Sequence, residues 1–190
     1  MNILVVSDTH GHLEKVYDMY EKLKDHTLDG KPIDRIIHCG DYKRDGEAIG
    51  NELALPVLAV EGNCDSWRNS SHSVLETPFG NVLVTHGHLQ SVDYGIQSLL
   101  YLAEENDCIC ACYGHTHVPV FEEYSGIWVL NPGSPSLPRD GTLGSCALLN
   151  LSEHGVDGGI YYYEHLCGRV EKKKSAGGFL RSIVNYSDRL

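Results

Sequence analysis

Ile3-Leu4-Val5-Val6-Ser7-Asp8-Thr9-His10 is the stretch on which the reading of this chain turns. Three β-branched residues and a leucine in unbroken succession, with no polar alternation, suit a strand covered on both faces. The run then stops at a carboxylate and an imidazole two residues apart. A polar cluster directly after an apolar run returns four times. Gly40-Asp41 follows Arg35-Ile36-Ile37-His38, and Gly62-Asn63-Cys64-Asp65 follows Pro56-Val57-Leu58-Ala59-Val60. His86-Gly87-His88 closes the run from Val82 to Thr85, and Gly114-His115-Thr116-His117 follows the apolar residues 108–113.

Between these runs the period changes. Leu13, Val16, Tyr17, Tyr20 and Leu23 recur at helical spacing, residues 45–53 read as a second helix, and Ile96, Leu99, Leu100 and Ala103 mark a third. Strands alternating with helices predict an α/β fold with parallel pairing in the first half. Val74–Thr77 and Val82–Thr85 flank Pro78-Phe79-Gly80-Asn81 and read as a hairpin. From residue 108 the pattern is mainly β, over 108–113, 118–124, 127–130, 143–150 and 156–164, and reads as a meander. Two mixed β-sheets packed face to face and flanked by helices, a four-layer α/β sandwich, reconcile the two halves.

The 190 residues suit one domain spanning 1–190, with 169–190 a C-terminal extension. In that extension Phe179, Leu180, Ile183 and Val184 form one helical stripe, expected to dock on the core, with a homo-oligomer contact as the alternative. Lys and Arg total 15 against 26 Asp and Glu, giving a net charge of −11 that argues against stable nucleic-acid binding. No apolar stretch approaches the ~18 residues of a membrane span. The N-terminus carries no cationic leader, and seven Cys without framework spacing favour a reducing compartment, so the expected location is the cytoplasm.

Ligands in α/β sheets bind outside the carboxyl ends of strands, so the five polar clusters should converge. Carboxylate, amide oxygen and imidazole together suit Mn, Fe, Zn, Ni or Co more than Ca or Mg. The candidates are too many for one ion. Two divalent ions sharing a carboxylate would use them all. A thiol-phosphatase loop is excluded, because it needs five residues between Cys and Arg; Cys39 and Arg44 are separated by four, Cys64 and Arg68 by three. Cys108, Cys110 and Cys112 should all project to one face of a strand and act as small buried hydrophobes rather than a zinc site.

The ordered set Asp8-x-His10, Gly40-Asp41, Gly62-Asn63, Thr85-His86-Gly87 and Gly114-His115-x-His117 resembles the calcineurin-like metallophosphoesterase superfamily. It is most similar to the short, single-domain phosphodiesterase branch, which also includes sorting scaffolds of the same fold. The resemblance covers residues 3–164 and implies a binuclear hydrolase of small phosphate esters, phosphodiesters before monoesters. Asp8, His10, Asp41 and His117 would hold one ion, and Asn63, His86 and His115 the other, with Asp41 bridging. Manganese is the first choice, with Fe, Zn, Ni, Co or Mg as alternatives, and a hydroxide shared by the ions would attack phosphorus. Asp41, Asn63, Cys64 and His88 are the catalytic candidates, and Cys64, Asn63 and Ser134 the substrate contacts. Many members carry His where this chain has Cys64, which leaves the general acid open; His88 or His12 would substitute, although His12 suits helix capping better. Arg44 and Arg68 could steer an anion. The competing reading is a metal-binding interaction scaffold without useful catalysis.

Overall fold

A computed structural model describes residues 1–65 and 72–168. The expected extension 169–190, with its apolar stripe, lies outside the described residues, as does Arg68. The chain order is β1 (Asn2–Val6), α1 (Glu14–Leu23), β2 (Arg35–His38), α2 (Lys43–Leu53) and β3 (Val57–Ala59). The hairpin β4 (Ser73–Leu75) and β5 (Asn81–Val84) follows, then a short 3-10 turn at His88–Gln90, α3 (Gln97–Glu105), β6 (Cys108–Cys112), β7 (Val120–Tyr124) and β8 (Ile127–Asn131). β9 (Ser145–Ser152), β10 (Gly155–Tyr162) and α4 (Tyr163–Cys167) complete the described residues.

The strands form two mixed five-stranded sheets, ordered β10-β9-β1-β2-β3 and β4-β5-β6-β8-β7. In the first, β1, β2 and β3 are parallel, while β9 runs antiparallel to β1 and β10 to β9. The unbroken apolar run is explained here, since all five residues of β1 are buried. Ile3 and Val5 face the second sheet, packing with Ile37, Val82, Val84, Leu130 and Leu149. Leu4 and Val6 face outward, onto Val16, Met19 and Leu23 of α1 and Ile49 of α2. On the far side of the second sheet, Leu83, Ala111 and Val129 pack against Leu99 and Ala103 of α3. Helix, sheet, sheet and helix are thus four layers around three apolar seams.

Three expectations are corrected. The β-rich second half is not a simple meander: β6 pairs in parallel with both β5 and β8, β7 returns along the edge, and β9 and β10 cross to the first sheet. The stretch 156–164 is not strand to its end, because α4 begins at Tyr163. Tyr163, Leu166 and Cys167 recur at helical spacing and pack on the α1 side, and the Tyr163 hydroxyl donates to Asp18 Oδ2 at 2.8 Å. The three cysteines of β6 do not share a face. Asn81 pairs with Cys108 but Val82 with Cys110, so Ile109 is an extra residue in β6. This bulge sends Cys108 to the α3 side, while Cys110 and Cys112 stay between the sheets.

Candidate metal centre

Every ligand-type cluster lies just past the carboxyl end of a parallel strand: Asp8 after β1, Asp41 after β2, Asn63 beyond β3, His86 after β5, and His115 and His117 after β6. The turns that carry them are conformationally costly. Ten described non-glycine residues have positive φ, and five of them are Asp8, His10, Asp41, His115 and His117. A left-handed backbone costs an L-residue of order 1 kcal/mol or more and persists where the surroundings over-determine it, most often at functional sites. Two glycines admit the close approach. A Cβ on Gly62 would lie 2.2 Å from Asp41 Oδ1, and one on Gly114 would lie 2.7 Å from Asp8 Oδ2.

Asp8, His10, Asp41 and His117 each offer one donor atom, and these four atoms lie within 4.8 Å of one another. His117 Nε2 is 3.2 Å from Asp8 Oδ1, and His10 Nε2 is 3.8 Å from Asp41 Oδ2. Burial alone would raise the Asp8 carboxyl, but pairing with His117 and the nearby His86 overcome it and hold it below its ordinary value. His117 moves the other way: burial opposes its charge, while Asp8 raises its pKa overall.

A second group adjoins the first. His86 Nε2 is 3.4 Å from Asp41 Oδ1 and 3.0 Å from Asn63 Oδ1, and His115 Nδ1 is 3.0 Å from the same amide oxygen. The outer ring nitrogens fix which inner ones carry lone pairs. His86 Nδ1 lies 2.8 Å from the Cys39 carbonyl, and His117 Nδ1 2.6 Å from that of Leu137. A carbonyl only accepts, so in each neutral ring Nδ1 bears the proton and Nε2 faces inward bare. His115 Nε2 lies 2.8 Å from the Asp93 carboxylate, which turns its Nδ1 inward in the same way.

This donor set fits divalent cations. Asp8 Oδ1 is buried facing His117 Nε2 at 3.2 Å, a nitrogen left bare when the neutral ring is protonated at Nδ1, and Asn63 Oδ1 faces two ring nitrogens whose protons point elsewhere. Acceptors crowded on acceptors, with Asp8, Asp41, His86 and His117 buried, are satisfied by a cation among them.

The remaining candidates divide. Cys64 is exposed beside Asn63, whose Nδ2 donates to Sγ at 3.6 Å, and its own N–H donates to Asp41 Oδ1 at 2.9 Å. Desolvation and the Asp41 carboxylate push its thiol up to about 11. His88 is half-buried, its ring 5.2 Å from that of His86, and burial lowers its pKa. His12 is exposed and stands outside both donor groups. The Arg44 guanidinium rests 5.3 Å from the centroid of the Tyr42 ring, whose edge meets His10. Ser134 is fully buried, its hydroxyl donating to the Asp8 carbonyl at 2.8 Å and accepting from the Leu137 N–H at 2.9 Å. The structure therefore places Ser134 under the Asp8 turn as a brace.

Sequence reading missed the supports. The Asp65 carboxylate accepts from the N–H groups of Tyr42, Lys43 and Gly62, capping α2 from another loop. Beneath the Asp8 turn, Asp45 Oδ2 accepts from the Thr9 hydroxyl at 2.8 Å and the Gly11 N–H at 2.7 Å. Thr9 accepts in turn from His38 Nε2 at 2.9 Å, leaving His38 Nδ1 to accept from the Gly40 N–H. These partners are 22 to 36 residues apart, apart from Gly40 and Gly62, and no local periodicity signals them.

A family model described as the calcineurin-like phosphoesterase superfamily domain matches residues 1–154. The chain is 32% identical over 172 residues to the probable metallophosphoesterase YsnB of Bacillus subtilis, covering 90% of this chain and 95% of that one. It is also 32% identical over 169 residues to the phosphodiesterase YfcE of Escherichia coli, covering 79% and 88%. A crystal structure of a conserved Streptococcus pneumoniae protein, described as a predicted phosphoesterase, superposes with a TM-score of 0.69 at 26% identity, covering 86% and 90%.

Proposed function

Because the chain belongs to the calcineurin-like phosphoesterase superfamily, we propose that it is a metal-dependent hydrolase of small phosphate esters, phosphodiesters before monoesters, working with two divalent ions. One observation carries the two-ion reading. The Asp41 carboxylate lies between the donor groups, Oδ2 toward His10 and Oδ1 toward His86. Asp8, His10, Asp41 and His117 would hold one ion; Asn63, His86, His115 and the shared Asp41 would hold the other. Manganese is the first choice for a set of imidazole, carboxylate and amide donors, with Fe, Zn, Ni, Co and Mg behind it. When bound, such ions acidify water and offset the charge that gathers on a phosphoryl group in flight.

The chain's own residues do the rest. Carbonyl and carboxylate partners hold the three inward rings in one tautomer, so the cleft presents lone pairs in fixed directions. The Asp45–Thr9–His38 relay and Ser134 hold the turns that aim Asp8 and His10. Cys64, exposed beside Asn63, would touch a phosphate oxygen or the departing alcohol, and His88, its ring 5.2 Å from that of His86, is the further imidazole candidate. A protein of net charge −11 thus concentrates positive charge at one rim only when loaded, which suits small anionic esters better than long polyanions.

The test is hydrolysis of chromogenic phosphodiesters and monoesters by chelator-stripped protein reloaded with each metal. The proposal expects Mn-dependent turnover with diester preference. No rate above the chelated control across metals and esters would leave the scaffold reading in its place, and a monoester preference would overturn the substrate assignment.

A further inference from the structure

Of the four candidate imidazole ligands, His86, His115 and His117 are each held through the outer ring nitrogen, and they are not held alike. His86 and His117 lean on backbone carbonyls, are buried, and cannot lose their partners by side-chain substitution. His115 is half-buried and leans on a side chain, Asp93 Oδ2, at 2.8 Å. Asp93 sits between the 3-10 turn and α3, and its neighbour Val92 is 7% exposed, with its N–H bonded to the Gly87 carbonyl. The loop is therefore anchored directly beside the carboxylate. Asp93 itself is 49% exposed in its side chain and belongs to none of the five clusters.

We propose that Asp93 is a positioning residue for the second metal site: it holds His115 with Nδ1 inward and so sets the affinity of one ion and not the other. The proposal rests on the two-ion reading, in which His115 is a ligand. A carboxylate behind a ligating imidazole fixes the ring's tautomer and orientation and makes the inward nitrogen more basic. Removal of such a partner typically weakens metal binding about 10- to 100-fold. His117 leans instead on the Leu137 carbonyl, so the first group is insulated from the change.

The experiment compares the parent with Asp93→Ala, Asp93→Asn and His115→Ala by calorimetric titration of chelator-stripped full-length protein with Mn²⁺, alongside metal-free melting. The parent is expected to take up two ions. Asp93→Ala should weaken one about 10- to 100-fold and leave the other within about threefold. Asp93→Asn, which keeps an acceptor oxygen without its charge, should recover part of the loss. Metal-free melting should be unchanged, because the side chain is half-exposed. If Asp93→Ala binds both ions like the parent while His115→Ala loses one, the proposal is overturned and the His115 assignment stands. If both variants bind like the parent, the assignment of His115 fails first. Equal weakening of both ions together with a lowered metal-free melting point would mean a merely structural role and also overturn it.

Discussion

Lowering the pH in the absence of metal probes the imidazole buried beneath the site. His38 is fully buried, and desolvation drives its pKa from 6.5 down to about 4. In the unfolded chain the ring takes up a proton near pH 6.5; in the folded protein it stays neutral until about pH 4. The unfolded state therefore binds more protons throughout that window, and stability falls as the pH falls through it. At about 1.4 kcal/mol per unit, a depression of about 2.5 units costs roughly 3 kcal/mol when titration is complete, and about 2.5 kcal/mol by pH 4.5. Carboxylates titrate over the same range, so the measurement is a difference. His38→Gln can still donate to the Thr9 hydroxyl but carries no proton to gain. Urea unfolding of chelated parent and variant should give curves that converge by about 2.5 kcal/mol between pH 7 and pH 4.5. Curves that stay parallel across that range would refute the argument, because the ring would then titrate alike in both states.

Three further outcomes follow from the site. Asp41→Ala should bind neither ion, read as metal content after dialysis; retention of both would remove the shared carboxylate from the proposal. Gly62→Ala places a Cβ 2.2 Å from Asp41 Oδ1, so Mn-dependent diesterase activity should drop by at least about tenfold while far-UV circular dichroism is kept. Unaltered turnover in that variant would show that the turn yields without disturbing Asp41. Cys64→His should raise the rate on alkyl esters more than on nitrophenyl esters, since only the poor leaving group needs a proton; an equal response would count against a missing acid.

The parts of this protein that could be read from its sequence are those where chemistry or burial overrides local propensity. An unbroken Ile-Leu-Val-Val run has few uses other than a strand covered twice, and β1 is one. Asp8, His10, Asp41, His115 and His117 were legible as ligand types gathered at strand ends, and the structure holds all five in left-handed backbone, as functional sites often do. What escaped reading was set by pairing across the chain. The inserted Ile109 that turns Cys108 to the other face exists only relative to β5. The resemblance put Ser134 among the substrate contacts, yet its hydroxyl donates to the Asp8 carbonyl. Asp93 lies 22 residues from the ring that it supports, in a stretch with no period of its own.

The division of the ligands between the sheets has one more consequence. Asp8, His10, Asp41 and Asn63 ride on the first sheet, and His86, His115 and His117 on the second. Either ion of the proposed pair would then be a rivet driven through both plates of the sandwich at one rim. Occupancy at 100 times the dissociation constant adds about 2.7 kcal/mol of resistance to unfolding, directed at the seam between the sheets. A descendant that lost its turnover would still gain rigidity from every ligand it kept, so selection for architecture alone can preserve such a site.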